Sequence, residues 1–199
     1  MRYGLVSDIH GCHENLEKAL ETFKEEKRKV EKILCAGDIF NLYLSHKENK
    51  KILDAIKSYK INCVLGNHDI EMIRKSSDQN EIIEYLKTLN EKKRIDDILL
   101  IHGHQEKINY ELSFDEIYEK YNTKTKIIIK GHDHKNCPLI YDKRGLKIIK
   151  NTNGHHKFKK PVIIHPGCLL STEFNGQELF NPAYAILDTD KNKVEFFFL

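Results

Sequence analysis

Five short segments of this chain end in the same way, and that recurrence constrains it more than any other feature. Val64-Leu65-Gly66-Asn67-His68-Asp69 runs from apolar residues into a glycine, then an amide, an imidazole and a carboxylate. Ser7-Asp8-Ile9-His10-Gly11 and Ala36-Gly37-Asp38 precede it; Ile101-His102-Gly103-His104 and Lys130-Gly131-His132-Asp133-His134 follow. Each comes after a strand-like run and sets Asp, Asn or His beside glycine. A single segment of this kind reads as a turn, because Asp, Asn and Gly are common at strand ends. Five in one chain point to a shared metal site.

The spacing of apolar residues predicts how these segments are delivered. Tyr3 to Val6, Val30 to Ala36 and Cys63 to Leu65 read as buried strands. Between them, Leu16, Ala19, Leu20 and Phe23, then Ile52, Ala55, Ile56 and Tyr59, recur at helical spacing from His13 onward and over about Glu48 to Tyr59. Strand–helix–strand repetition implies a parallel sheet with right-handed crossovers. In such sheets functional residues gather at the carboxyl ends of the strands, where Asp8, Asp38 and Asn67 fall.

A further helix is expected over Asn80 to Leu89, then a charged connection and a strand over Ile98 to Ile101. Ser113 and Glu116 read as the capping box of a helix bearing Phe114, Ile117, Tyr118 and Tyr121. Ile127 to Ile129 leads into Gly131-His132. Leu139 to Tyr141 and Leu146 to Ile149 read as a hairpin turning at Lys143-Arg144-Gly145. Val162 to Ile164, Tyr184 to Leu187 and Val194 to Phe198 complete a β-rich second half, expected to form a second sheet against the first. No repeat or linker interrupts the 199 residues, so one domain over 1–199 is expected.

Composition bears on what the site serves. A net charge of +3 is too small to imply nucleic-acid binding, which is possible but not indicated. No apolar run approaches ~18 residues, so no membrane helix is expected. The five cysteines (Cys12, Cys35, Cys63, Cys137 and Cys168) include no C-x-x-C pair. They fit a reducing cytosol better than a disulfide framework, and the opening Met1-Arg2-Tyr3-Gly4 shows no charged-then-apolar leader, so a cytoplasmic protein is expected.

Asp8, His10, Asp38, Asn67, His102, His132 and His134 offer carboxylates, imidazoles and an amide without a thiolate. Such donors suit divalent first-row ions: Mn²⁺ is favoured, with Ni²⁺, Fe²⁺, Co²⁺ or Zn²⁺ as alternatives. There are too many donors for one ion and a reasonable number for two, the arrangement in which paired ions activate water and clamp a phosphoryl group. Two divalent ions, two aspartates and a hydroxide leave a positive site, suited to a small phosphate-ester substrate.

The ordered set of motifs resembles the calcineurin-like metallophosphoesterase superfamily (D-x-H, G-D, G-N-H-[DE], H, G-H-x-H) across nearly the whole chain. Asp8-Ile9-His10-Gly11 with Glu14-Asn15-Leu16, and Pro166-Gly167 with Pro182-Ala183-Tyr184-Ala185-Ile186-Leu187-Asp188, resemble its small bacterial and archaeal phosphodiesterase branch. The resemblance implies an α/β fold of two packed mixed β-sheets flanked by helices, a four-layer α/β/β/α sandwich. It implies one ion on Asp8, His10, Asp38 and His134, and another on Asp38, Asn67, His102 and His132. It implies in-line attack by a metal-bridging hydroxide, with His68 as proton donor to the leaving group and Asp69 as its orienter. Gly37-Asp38-Ile39-Phe40-Asn41 lacks the Asp-Arg of the serine/threonine protein phosphatases and diadenosine tetraphosphatases, so the resemblance does not extend to those activities.

A phosphodiesterase is the first expectation. A phosphomonoesterase on a nucleotide or small metabolite is the second, and a catalytically weak interaction scaffold the third. Other residues carry alternatives. His104 reads equally as a partner of a ligating histidine or a surface residue, and His165 as site-lining or structural. His155 and His156 read as a solvated loop, Cys12 as a small buried side chain. The basic stretch from Lys143 to Lys160 reads as a solvated face, or as a steering surface for polyanions.

Overall fold

The structure is a computed structural model that describes residues 1–76, 79–104, 113–121, 124–134, 137–150, 153–170 and 181–199, with the backbone of 173–174 and 177–178. In chain order the strands are β1 (Arg2–Val6), β2 (Lys32–Cys35), β3 (Asn62–Cys63), β4 (Lys92–Ile95), β5 (Ile98–Ile101), β6 (Ile127–Ile129) and β7 (Leu139–Asp142). They continue with β8 (Gly145–Ile148), β9 (Gly154–Lys157), β10 (Val162–His165), β11 (Glu173–Phe174), β12 (Gln177–Glu178), β13 (Ala183–Asp188) and β14 (Lys193–Phe198). The helices are α1 (His13–Lys24), α2 (His46–Ser58), α3 (Asn67–Lys75), α4 (Glu81–Lys87) and α5 (Phe114–Lys120), with a 3₁₀ turn at Glu26–Arg28.

One six-stranded sheet has the order β3-β2-β1-β13-β14-β9 and a second β4-β5-β6-β10-β7-β8. As the strand–helix alternation predicts, β1, β2 and β3 pair in parallel. Period-2 alternation then sorts side chains by face. Leu5, Leu34, Leu100, Ile129 and Ile164 point between the sheets. Val6, Ile33 and Cys35 meet Leu16, Leu20, Ile52 and Ile56 from α1 and α2. On the far side Ile101, Ile128 and Ile163 pack against Phe114 and Ile117 of α5. The result is the four-layer α/β/β/α arrangement, with two interfaces against helices and one between sheets.

Several expectations change. The second half does not form the second sheet alone: β9, β13 and β14 join the first sheet, while β4 and β5 belong to the second. The charged connection after α4 contains β4, whose Lys92, Lys93 and Arg94 are exposed because this edge strand pairs only with β5. His155 and His156 lie on edge strand β9 rather than in a loop. Asn67, His68 and Asp69 open helix α3, which few apolar residues announce. The capping box at Ser113 and Glu116 forms as expected, and Ser45 with Glu48 makes a second one at α2.

Candidate metal centre

The ligand-bearing segments all lie just beyond the carboxyl ends of β1, β2, β3, β5 and β6, where the two sheets meet. Backbone hydrogen bonds sew these loops to one another. Asp8 N donates to Gly37 O at 3.0 Å, His10 N to Asp38 O at 3.0 Å and Gly131 N to His102 O at 3.0 Å. Asp8, His10, Asp38 and His132 hold φ of 51°, 44°, 53° and 78°. Four non-glycine residues in left-handed conformations within one site mark backbone strain concentrated where it aims side chains.

All seven expected donors converge. Asp8 Oδ1 lies 3.0 Å from His134 Nε2, and His134 Nε2 lies 3.4 Å from His10 Nε2. Asp38 Oδ2 sits 3.6 Å from His10 Nε2 and 3.2 Å from His102 Nε2, which is itself 3.1 Å from Asn67 Oδ1. His132 completes a second cluster, with its donor atom within 4.8 Å of those of Asp38 and His102. Its backbone N–H donates to Asp8 at 3.1 Å, which ties the two clusters together. His68 is exposed; a nitrogen of its ring falls within 4.8 Å of donor atoms of His10 and Asp38.

The electrostatics follow from burial. Asp8 and Asp38 are 0% and 1% exposed, yet both carboxyls are held below their usual range. Desolvation opposes ionisation in each; hydrogen bonds from His134 and His102, with the field of neighbouring imidazoles, outweigh it. Burial likewise disfavours a charged His102, but Asp38 and Asp8 lift it to about 9. His10, with weaker compensation, is pushed down by burial to about 4. Nδ1 of His102 lies 2.7 Å from the Ala36 carbonyl, which fixes a proton there and leaves Nε2 toward Asp38 and Asn67. That is how a ligating imidazole is oriented. Two buried carboxylates, the buried imidazoles of His10 and His102, the more accessible ones of His132 and His134, and an amide oxygen fit divalent cations, whose binding displaces the imidazole protons.

Comparison with known proteins agrees with this geometry. Residues 1–192 match the calcineurin-like phosphoesterase superfamily domain. The chain belongs to that superfamily. A phosphodiesterase of Methanocaldococcus jannaschii is 26% identical over 203 residues, covering 97% of this chain and 96% of its own. Among solved structures, a metallophosphoesterase from Sphaerobacter thermophilus superposes with a TM-score of 0.78 at 21% identity, over 100% of this chain and 88% of that one. A novel archaeal phosphodiesterase superposes with a TM-score of 0.57 at 20% identity, over the full length of both. The superfamily is metal-dependent, and its member here is a hydrolase of phosphate esters. No helix among the described residues is long and apolar enough to cross a membrane.

Other superfamily positions resolve into structure. Asp69, expected as the orienter of His68, accepts from three backbone N–H groups: Ile39 at 2.9 Å, Phe40 at 3.2 Å and Gly66 at 2.9 Å. It pins the Asp38 loop to the start of α3. Burial and then the charge of Asp38 raise its carboxyl to about 7, against those three donors. Asp69→Ala leaves three buried donors unpaired, and a loss of about 3 kcal/mol or more is expected in a denaturation midpoint. A parent-like midpoint would contradict the pinning role.

His165 is fully buried; its Nδ1 accepts from Gly167 N at 3.2 Å and its Nε2 lies 3.8 Å from Asp8 Oδ2. It lines the floor beneath Asp8, a placement that the sequence left open. The His104 ring centroid lies 5.5 Å from that of His102, beside the centre rather than apart from it. Cys12 precedes α1 and is half-buried. The Lys143-Arg144 turn is at the opposite end of its sheet. Leu139 pairs with His165 near the site and Asp142 with Val162 away from it, and Arg144 is spent on buried Asp142 at 2.6 Å. That position removes the reason to assign this turn a steering role.

Proposed function

We propose that this protein is a phosphodiesterase whose centre takes two divalent ions, Mn²⁺ first among the candidates. The observation that carries the reading is the shared position of Asp38, whose Oδ2 lies 3.2 Å from His102 Nε2 and 3.6 Å from His10 Nε2. Asp8, His10, Asp38 and His134 would hold one ion; Asp38, Asn67, His102 and His132 would hold the other. Bound ions supply Lewis acidity and make water acidic enough to act as a nucleophile at neutral pH.

The chain's own residues do the rest. Water oxygen forms a bond to phosphorus, the ester P–O bond opposite breaks, and the departing oxygen takes a proton from His68. The products are a phosphomonoester and an alcohol. His68 is suited to the donor role by its exposure and by its anchor, since its backbone N–H donates to Asp38 Oδ1 at 2.9 Å. Asp69 holds that loop in place. We take residues 1–199 as one catalytic unit, and the five free cysteines support a reducing, cytoplasmic setting.

His68→Ala is expected to keep its full metal content while losing about 10²-fold or more in turnover, most for esters with poor leaving groups. Metal analysis alongside rates on a leaving-group series checks this; metal loss in the variant would make His68 a ligand instead. The reading as a whole is tested by stripping the protein of metal and reloading it with Mn²⁺, Ni²⁺, Fe²⁺, Co²⁺ or Zn²⁺, comparing bis- and mono-(p-nitrophenyl) phosphate. Activity restored by metal and greater on the diester is expected. Faster turnover of the monoester would reassign the substrate class, and activity indifferent to metal would end the proposal.

A further inference from the structure

A second charged site lies at the other end of the first sheet. Arg2 opens β1, which ends at Val6, and stands six positions before Asp8, a span of up to about 20 Å. Here a cleft of ≈ 380 Å³ has Ile186 among its lining, with Arg2, Lys27, Arg28, Lys191 and Lys193 as its cations. Its two carboxylates, Asp188 and Glu195, leave a surplus of positive charge equal to the net +3 of the entire chain.

That surplus is only partly offset by its surroundings, where Glu25 pairs with Arg28 at 2.8 Å. Asp188 Oδ2 stands 3.6 Å from Arg2 Nε and 3.9 Å from Lys191 Nζ, both loose pairs. Glu195 lies 3.4 Å from His155 Nδ1 and 3.9 Å from Arg28 Nη2. Among the described residues, Lys27 and Lys193 have no carboxylate partner. Strand register aggravates the crowding. The row across the sheet runs Arg2, Asp188, Lys193, Lys157, so two lysines face each other directly on β14 and β9. Like charges in that relation destabilise a strand pair unless an anion sits between or beside them.

The two guanidinium groups are also fixed in advance. Arg2 Nη1 donates to the Lys27 carbonyl at 2.8 Å, and Arg28 lies over the Phe197 ring at 4.8 Å while pairing with Glu25 at 2.8 Å. Held planar forks match phosphate oxygens without further ordering cost. The volume is at the lower end of the range for small-molecule sites, roughly 300–1,000 Å³, and exceeds what a single phosphate fills.

We infer that this cleft binds a small polyanion carrying two or more phosphate groups, the chemistry shared by inorganic pyrophosphate and nucleoside polyphosphates. It does so independently of the metal loops. Bound there, the anion would bridge β1, β14 and the 3₁₀ turn.

The test is a titration of the full chain, with and without divalent metal, by inorganic pyrophosphate and separately by ADP, read from backbone amide shifts. Saturating shifts at Lys27, Arg28, His155 and Lys193 are expected, retained in Asp38→Ala and weakened about tenfold or more in Arg28→Gln and Lys193→Gln. Equal affinity for the two probes would mean that phosphates alone are read, and tighter ADP binding that the nucleoside is also held. Lys193→Gln, which removes one of two facing lysines, is expected to melt at or slightly above the parent temperature and to keep the parent diesterase rate, so its result stands even if Arg28→Gln folds poorly. Shifts confined to the Asp8, Asn67 and His132 loops, shifts that do not saturate, or an unchanged midpoint in Lys193→Gln would each overturn the inference.

Discussion

Asp38→Ala is expected to lose metal and activity together, with kcat/KM falling about 10³-fold or more. The size follows from what one carboxylate is asked to do. Its Oδ2 is the donor common to both clusters, 3.2 Å from His102 Nε2 and 3.6 Å from His10 Nε2, while Oδ1 accepts the His68 N–H at 2.9 Å. Bound cations contribute several kcal/mol of transition-state charge stabilisation, and each 1.36 kcal/mol is a decade in rate. Removing the carboxylate also leaves His102, fully buried and held up near 9 chiefly by Asp38 and Asp8 against the cost of burial, with one counter-charge fewer.

Metal analysis per chain, diesterase rate and melting temperature with and without added metal measure the three consequences. The parent is expected to gain stability on loading, about 2.7 kcal/mol at a hundredfold excess over Kd, and Asp38→Ala to gain little. His132→Ala, which removes a donor from one cluster only, is expected to retain the ion proposed for Asp8, His10, Asp38 and His134. Two ions per chain and near-parent turnover in Asp38→Ala would refute the shared-carboxylate assignment.

Gly66→Ala is the second large effect, and it removes no donor atom. A Cβ at this position would stand 2.0 Å from Asp38 Oδ1 and 2.3 Å from Asp38 N. Neither neighbour can swing aside, because Asp38 O accepts from His10 N and its carboxylate is held by His68 and His102. The backbone at Gly66, with φ −97° and ψ 177°, is one that alanine adopts freely, so the cost is steric rather than conformational. Overpacking of this kind costs about 3 kcal/mol or more, and relief by moving the loop would pull Asp38 away from Asn67. A lower melting temperature with loss of metal-dependent activity is expected. Gly154→Ala, whose nearest neighbour would be 3.9 Å away on edge strand β9, is the control and should melt within ~0.5 kcal/mol of the parent. Equal melting of the two variants would show that the close approach at Gly66 is not required.

Reading the chain in one dimension succeeds where local chemistry decides. Ile127 to Ile129 and Ile98 to Ile101 are apolar whichever partner covers them, and they are strands. Ser113 and Glu116 satisfy each other's backbone within four residues, so the cap is written where it forms. Reading fails where the decision is made elsewhere in the molecule. Lys92-Lys93-Arg94 becomes a strand because β5 offers it an edge, which no property of three cations announces. Gly154 to Lys157 becomes a strand because Lys193 to Phe196 lies beside it.

The candidate site divides along the same line. Residue types and their order were enough to nominate Asp8, His10, Asp38, Asn67, His102, His132 and His134, because metal chemistry restricts donors to a few side chains and strand ends leave them beside glycine. The clustering of those donors, the left-handed backbone at four of them, the role of Asp69 as a loop pin and the place of His165 under Asp8 were decided only in three dimensions. So was the cationic cleft, whose residues come from positions 2, 27–28, 155 and 186–195 and form no run in the chain. Side-chain chemistry is a property of each residue, whereas distance, burial and strain belong to pairs of segments that meet only after two sheets have closed on one another.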